Sequence, residues 1–118
     1  MTAAVALNVR EARRYAARVS DRWPLSAAWL GGARVDDAHG AGDQRERGEE
    51  YLAVLVSEGF DGVPWLERVH VAESLWDGSE MGAPLEAHCY TPVEYARKRD
   101  TLPRVAHAAD TGLNLLAD

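Results

Sequence analysis

Six consecutive apolar residues, Tyr51-Leu52-Ala53-Val54-Leu55-Val56, constrain this 118-residue chain more than any other segment. A strand with alternating polar residues can leave one face in water, but a strand apolar at every position must be covered on both. The chain therefore needs a sheet packed on both sides. Upstream, Val5, Val9, Ala12, Ala16 and Val19 alternate at spacings of four and three, which predicts a helix with one face on the core. Arg10, Arg14 and Arg18 form an i, i+4 ladder on its other side, read as a solvated face, with Glu11 offsetting part of the repulsion at Arg14.

Pro24 stops this helix, and Leu25 to Leu30 reads as a short buried strand running into Gly31-Gly32. Residues 33–49 contain three Gly, many charges and no apolar periodicity, so they read as a mobile loop. After the central strand, Ser57 to Gly62 turns the chain, and Pro64 suits the first turn of a helix carrying Leu66, Val69, Ala72 and Leu75 on its inner face. Trp23, Trp29, Trp65 and Trp76 read most simply as core or interface anchors; if Trp65 and Trp76 share a face of that helix, it could cover a partner subunit, and Gly78 and Gly82 bracket the next loop. A third strand, Leu85 to Tyr90, leads into Thr91-Pro92-Val93-Glu94, a capping box in which Thr91 and Glu94 exchange hydrogen bonds with each other's amides. The helix it starts ends near Thr101 and Pro103 starts another. Gly112 fits a left-handed C-cap, and the closing residues have room for a fourth strand. This order predicts one domain over residues 1–118 in the α/β (α+β) class, a small mixed sheet flanked by helices.

Charge narrows the partners. The chain holds 13 basic and 19 acidic residues for a net charge of -6, which disfavours nonspecific nucleic-acid or anionic-membrane binding. The balance is uneven: residues 1–22 carry five Arg against Glu11 and Asp21, +3, which leaves -9 for the rest. Twelve of the 13 basic residues are Arg, there is no Ile, and twenty residues are Ala. That pattern follows from a GC-rich coding sequence, so the Arg excess says little about phosphate. A lone Cys89 forms no internal disulfide and no segment has the length of a membrane span, so the expected location is the cytoplasm.

Chemistry has few places to sit. Gly31-Gly32 at a strand end lets a ligand approach the backbone and leaves amides free for phosphate. Glu49 and Glu50 stand at the entrance of the central strand and Glu86 near the start of the third. If those strands are neighbours, one of the two can share a face with Glu86, and two such carboxylates can hold Mg²⁺ against a nucleotide's phosphates. His88 and Cys89 are adjacent along a strand and face opposite ways, so they cannot bind one metal. A nucleophilic pairing of Cys89 with His70 or His107 is set aside, because Cys in a strand is usually a small buried apolar residue. Asp36-Asp37 and His39 read as solvated loop residues.

Val63-Pro64-Trp65-Leu66-Glu67-Arg68 and Tyr90-Thr91-Pro92-Val93-Glu94, within a stretch from Trp29 to Leu116, resemble the minimal bacterial and archaeal nucleotidyltransferase-like domains of the polymerase-beta superfamily. The resemblance implies a Gly-Ser pair on the triphosphate after the first strand, an Asp-x-Asp at the second and a third acid on the next. The acids would hold two metal ions that activate the acceptor hydroxyl and neutralise the leaving pyrophosphate. Carried onto this chain, the Gly-Ser becomes Gly31-Gly32 without its Ser, the Asp-x-Asp falls on Glu50-Tyr51-Leu52, and the third acid on Glu86. A register shifted by one gives Glu49 and Tyr51 instead. The implied nucleotide-binding set is Gly31, Gly32 and Arg34, the catalytic set Glu50 and Glu86, and the metal set Glu49, Glu50 and Glu86, with Mg²⁺ and a nucleoside triphosphate as cofactor and ligand.

Leu52 removes charge where two Mg²⁺ ions need it, a loss that commonly costs several orders of magnitude in rate. The leading expectation is accordingly a catalytically impaired nucleotidyltransferase-fold protein serving as a nucleotide- or protein-binding module. One alternative is an active Mg²⁺-dependent enzyme that uses Glu49, Glu50 and Glu86 around one metal and transfers NMP to a protein or small molecule. The other is an antitoxin-like or regulatory partner of a small helical protein. Homodimerisation is compatible with each.

Overall fold

A computed structural model describes residues 7–32, 35 and 51–116. Val5, the 33–49 segment apart from Val35, and Arg34, Glu49 and Glu50 within or beside it lie outside the described residues. The elements, in chain order, are helix α1 (Val9–Arg22), strand β1 (Ala27–Gly32), strand β2 (Tyr51–Val56) and a 3-10 turn (Glu58–Phe60). They continue with helices α2 (Trp65–Ser74) and α3 (Gly78–Met81), strand β3 (Leu85–Tyr90), helices α4 (Pro92–Thr101) and α5 (Pro103–Thr111), and strand β4 (Leu113–Asn114). The four strands form one mixed sheet in the order β3-β2-β1-β4. β1 runs antiparallel to β2 and to β4, while β2 and β3 are parallel. The α+β class with a mixed sheet is therefore the observed architecture, and the fourth strand is present.

Every residue of β2 is buried, as its unbroken apolar run requires. On one side, Tyr51, Ala53 and Leu55 join an apolar cluster with Ala12, Tyr15, Ala16 and Val19 of α1, Leu30 of β1, and Ala87 and Cys89 of β3. On the other, Leu52 and Val54 cluster with Tyr90 and with Val105 and Ala108 of α5. Each fully buried Leu, Val or Phe of this kind contributes about 1.5–3 kcal/mol. The aromatic rings in and against this core keep their polar ends satisfied: buried Tyr15 donates to the Ala72 carbonyl (2.9 Å), buried Tyr51 to that of Met81 (2.8 Å) and half-buried Trp76 through Nε1 to that of Ala83 (2.9 Å).

Several local expectations shift. β1 starts two residues later than Leu25 and takes in Gly31 and Gly32. The Gly78–Gly82 loop holds a one-turn helix, with Asp77 accepting from the Ser79 and Glu80 amides and Gly82 (φ 87°) as its left-handed cap. Gly112, by contrast, is not left-handed (φ -79°); a Cβ there would lie 2.4 Å from the Ala108 carbonyl oxygen and 2.5 Å from that of Leu30. Arg10 and Arg14 are exposed as read, but Arg18 is an anchor, donating through Nε to the Leu75 carbonyl (3.0 Å) and through Nη2 to buried Glu11 (2.6 Å). Trp76 lies beyond α2, its ring against Tyr15 and Tyr51, whereas Trp65 is exposed, so the two share no helix face. Leu66 also points outward, and Arg68 is buried in its stead.

Arg68 binds three elements together. It is only 7% exposed, and its guanidinium donates to the carbonyls of Val63 (2.8 Å) and Cys89 (3.1 Å) and to the Glu94 carboxylate (2.7 Å). Glu94 completes the capping box from the same position, accepting from the Thr91 amide (2.9 Å). The Cys89 carbonyl and the Ala87 amide point away from β2, on the free edge of β3, and Glu73 of α2 accepts from that amide (3.1 Å). Charged side chains from α2 thus close an edge that would otherwise be open to another strand.

Removing a buried guanidinium strands its carbonyl and carboxylate partners, so Arg68→Ala should lower the unfolding free energy by about 2–4 kcal/mol in urea titrations. The hydrogen bond from Arg68 holds the Glu94 carboxyl below its usual range, burial opposes this, and the Thr91 amide adds to it. A carboxyl whose pKa is lower folded than unfolded stabilises fully above the unfolded value, and that stabilisation disappears as pH falls through the folded one. The stability gap between the wild type and Glu94→Gln should therefore narrow as pH falls below the unfolded carboxyl's value of about 4.5 and through the lower folded one.

Candidate functional site

Strand register brings three of the sequence-derived positions together. Gly31 of β1 lies opposite Leu52 of β2, and Leu52 opposite Glu86 of β3. Residues directly opposed across a ladder point to one side of the sheet, so the three form a single row on one face. That face is the one α5 covers. Glu50, Glu49 and Arg34, which the sequence joins to this row, lie outside the described residues.

α5 packs closely over the β1 and β2 part of the row. A Cβ on Gly31 would stand 2.8 Å from the Ala108 Cβ, well inside contact distance. The missing side chain thus admits a helix where the sequence suggested a phosphate. Gly32 has a different need, with φ at 100°, in the left-handed region that favours glycine. Leu52 is 2% exposed and shares its apolar cluster with Val105 and Ala108.

Glu86, at the β3 end of the row, is half-buried and already engaged. Arg104 of α5 holds it with a two-pronged pair, Nη2 to Oε1 at 3.0 Å and Nη1 to Oε2 at 3.3 Å. His88 Nε2 lies 2.8 Å from Oε2, and His88 Nδ1 lies 2.9 Å from the Tyr90 hydroxyl. Glu86, His88 and Tyr90 are alternate residues of one strand, so the period-two geometry alone aligns them. Burial pushes the Tyr90 phenol up to about 12, so it keeps its proton and can donate to Nδ1. In the neutral imidazole this leaves Nε2–H for Glu86. Burial pushes the Glu86 carboxyl upward, but the hydrogen bonds from His88 and Arg104 outweigh it and hold the group below its usual range. Trp65 closes the strip, stacked on Tyr90 (5.5 Å between centroids) and edge-on to His88 (6.4 Å).

The result is an ionised carboxylate balanced by a guanidinium and oriented by an imidazole. A two-metal centre does not fit the described part of the row: Leu52 offers no ligand and is sealed, and Glu86 is already held from two sides. Among the described residues no group of three His, Cys, Asp or Glu is placed to hold a metal ion. Cys89 is on the opposite face from His88, fully buried, and burial pushes its thiol up to about 12, so it is no nucleophile at neutral pH. Sequence reasoning missed Arg104, Tyr90 and Trp65. The alternation Glu86-x-His88-x-Tyr90 signalled one of them, whereas Arg104 and Trp65 reach the strip from other elements. No helix among the described residues is long and apolar enough to cross a membrane. No family profile, curated protein or solved structure matches the chain significantly.

Two substitutions check this geometry by urea denaturation. Leu52→Asp places a carboxylate inside an apolar contact and should cost about 3 kcal/mol or more of stability. Gly31→Val forces the sheet from α5 and should cost about 1–3 kcal/mol.

Proposed function

We propose that this chain is a nucleotidyltransferase-like domain that has lost transfer chemistry and serves as a protein-binding module. The observation that carries the reading is the row Gly31, Leu52, Glu86: the positions that the resemblance assigns to phosphate and metal share one face, and α5 lies over the first two. The strand order supports it as well, since each motif position falls on its own strand. With Gly31 packed on Ala108 and Glu86 neutralised by Arg104, a nucleotide has poor access to this part of the face, which favours a protein as the ligand. The resemblance adds a small helical protein as one kind of partner.

The test is direct. Full-length protein is incubated with each common ribonucleoside triphosphate, α-labelled, with Mg²⁺ or Mn²⁺, beside a Glu86→Gln variant, and pyrophosphate and labelled protein are measured. The expected outcome is no release above the buffer blank from either protein. Metal-dependent release by the wild type that Glu86→Gln abolishes would overturn the reading in favour of an active enzyme.

A further inference from the structure

The end of the sheet where the two parallel strands finish carries an apolar patch that the fold leaves uncovered. β2 leads through the 3-10 turn into α2, and β3 leads directly into α4, so the first turns of both helices lie at the carboxyl ends of parallel strands. In open α/β sheets that is where ligands are bound. The Arg68–Glu94 pair (2.7 Å) and the stack of Trp65 on Tyr90 hold the two turns side by side. Trp65, Leu66 and Val93 stand there 42%, 78% and 65% exposed, three of the five large apolar side chains exposed among the described residues.

Charge on the α2 side of the patch is of one sign, while on the α4 side Arg97 stands one turn beyond Val93. From Ser57 to Glu67 the chain carries Glu58, Asp61 and Glu67, all exposed, and no Lys or Arg. None of the three has an ion-pair partner among the described residues. A second copy joined by a two-fold axis through the α2 side of the patch would bring the carboxylates of the two copies together. Phosphate-bearing partners are repelled in the same way.

We infer that Trp65, Leu66 and Val93 form a docking surface for a partner protein that presents an apolar anchor flanked by Lys or Arg. The inference rests on the reading of the chain as a protein-binding module and gives that module a surface and a partner chemistry. An exposed Trp backed by a second aromatic ring supplies large rigid contact area, the usual composition of a binding hot spot. The three carboxylates supply orientation and a faster encounter with a basic segment.

Two synthetic peptides of equal length, with the same Leu-Phe-Leu centre and either Arg or Glu flanks, test this on the full chain by calorimetry and by the indole NMR signals of the tryptophans. The Arg-flanked peptide should bind, shift the Trp65 signal, and weaken as NaCl rises from about 50 mM to about 500 mM. Trp65→Ala and Leu66→Ser should each weaken it roughly tenfold or more; Leu66 is so exposed that its variant keeps the fold. The triple variant Glu58→Gln, Asp61→Asn, Glu67→Gln should lose most of the salt dependence. The Glu-flanked peptide should not bind. Failure of the Arg-flanked peptide to bind, equal binding of both peptides, or binding unchanged in Leu66→Ser overturns the proposal. So does a dimer in sedimentation that Leu66→Ser dissociates, which assigns the patch to a second copy. Nucleotide transfer by the wild type would refute the non-catalytic reading and leave the peptide result standing. A silent peptide beside silent transfer refutes the docking surface alone.

Discussion

Much of this structure depends on how a single guanidinium is held. Arg68 enters the protein with its charge, which is tolerable only because Glu94 compensates it and two backbone carbonyls take up further donors. Those partners come from the turn before α2, from β3 and from α4, so the crossover helix, the strand it leads to and the helix beyond are fixed relative to one another by one side chain. The capping box of α4 shares the same carboxylate, which joins the start of that helix to the placement of α2.

The other face is organised by absence of bulk. Gly31 and Ala108 let α5 come close to the sheet, and that approach buries Leu52. A helix seated so tightly also delivers Arg104 to Glu86, so the apolar contact and the neutralised carboxylate are two results of one packing decision. A polar residue at 52 or a side chain at 31 would separate the layers and leave Glu86 without its counter-charge.

What the sequence made legible was local. β2, an unbroken apolar run, and β3, an alternating segment, match the strands read from the sequence residue for residue, and the Thr91 capping box and the two proline-led helices follow from chemistry within a few positions. The errors share a cause. Leu66, expected on the inner face of α2, turns outward while Arg68 takes the inner side because β3 and α4 offer partners for a guanidinium there, and nothing in the helix's own spacing records this. The position of Gly112 after a helix suggests a left-handed cap, whereas its constraint comes from the Leu30 and Ala108 carbonyls beside it. For the candidate site, the row through Gly31, Leu52 and Glu86 needs only correct strands and register. The helix above it could not be read, since the apolar stripe of α5 does not say which face of the sheet it covers.

The closed edge of β3 has a consequence for the order in which the chain assembles. The Ala87 amide and the Cys89 carbonyl are covered by Glu73 and Arg68, both supplied by α2. Until α2 is seated, a strand already paired with β2 displays an open hydrogen-bonding edge, and unpaired strand edges on incomplete folds are where chains associate wrongly. Docking of α2 is therefore the step that closes the β3 side of the sheet, as β4 at the end of the chain caps part of the β1 side.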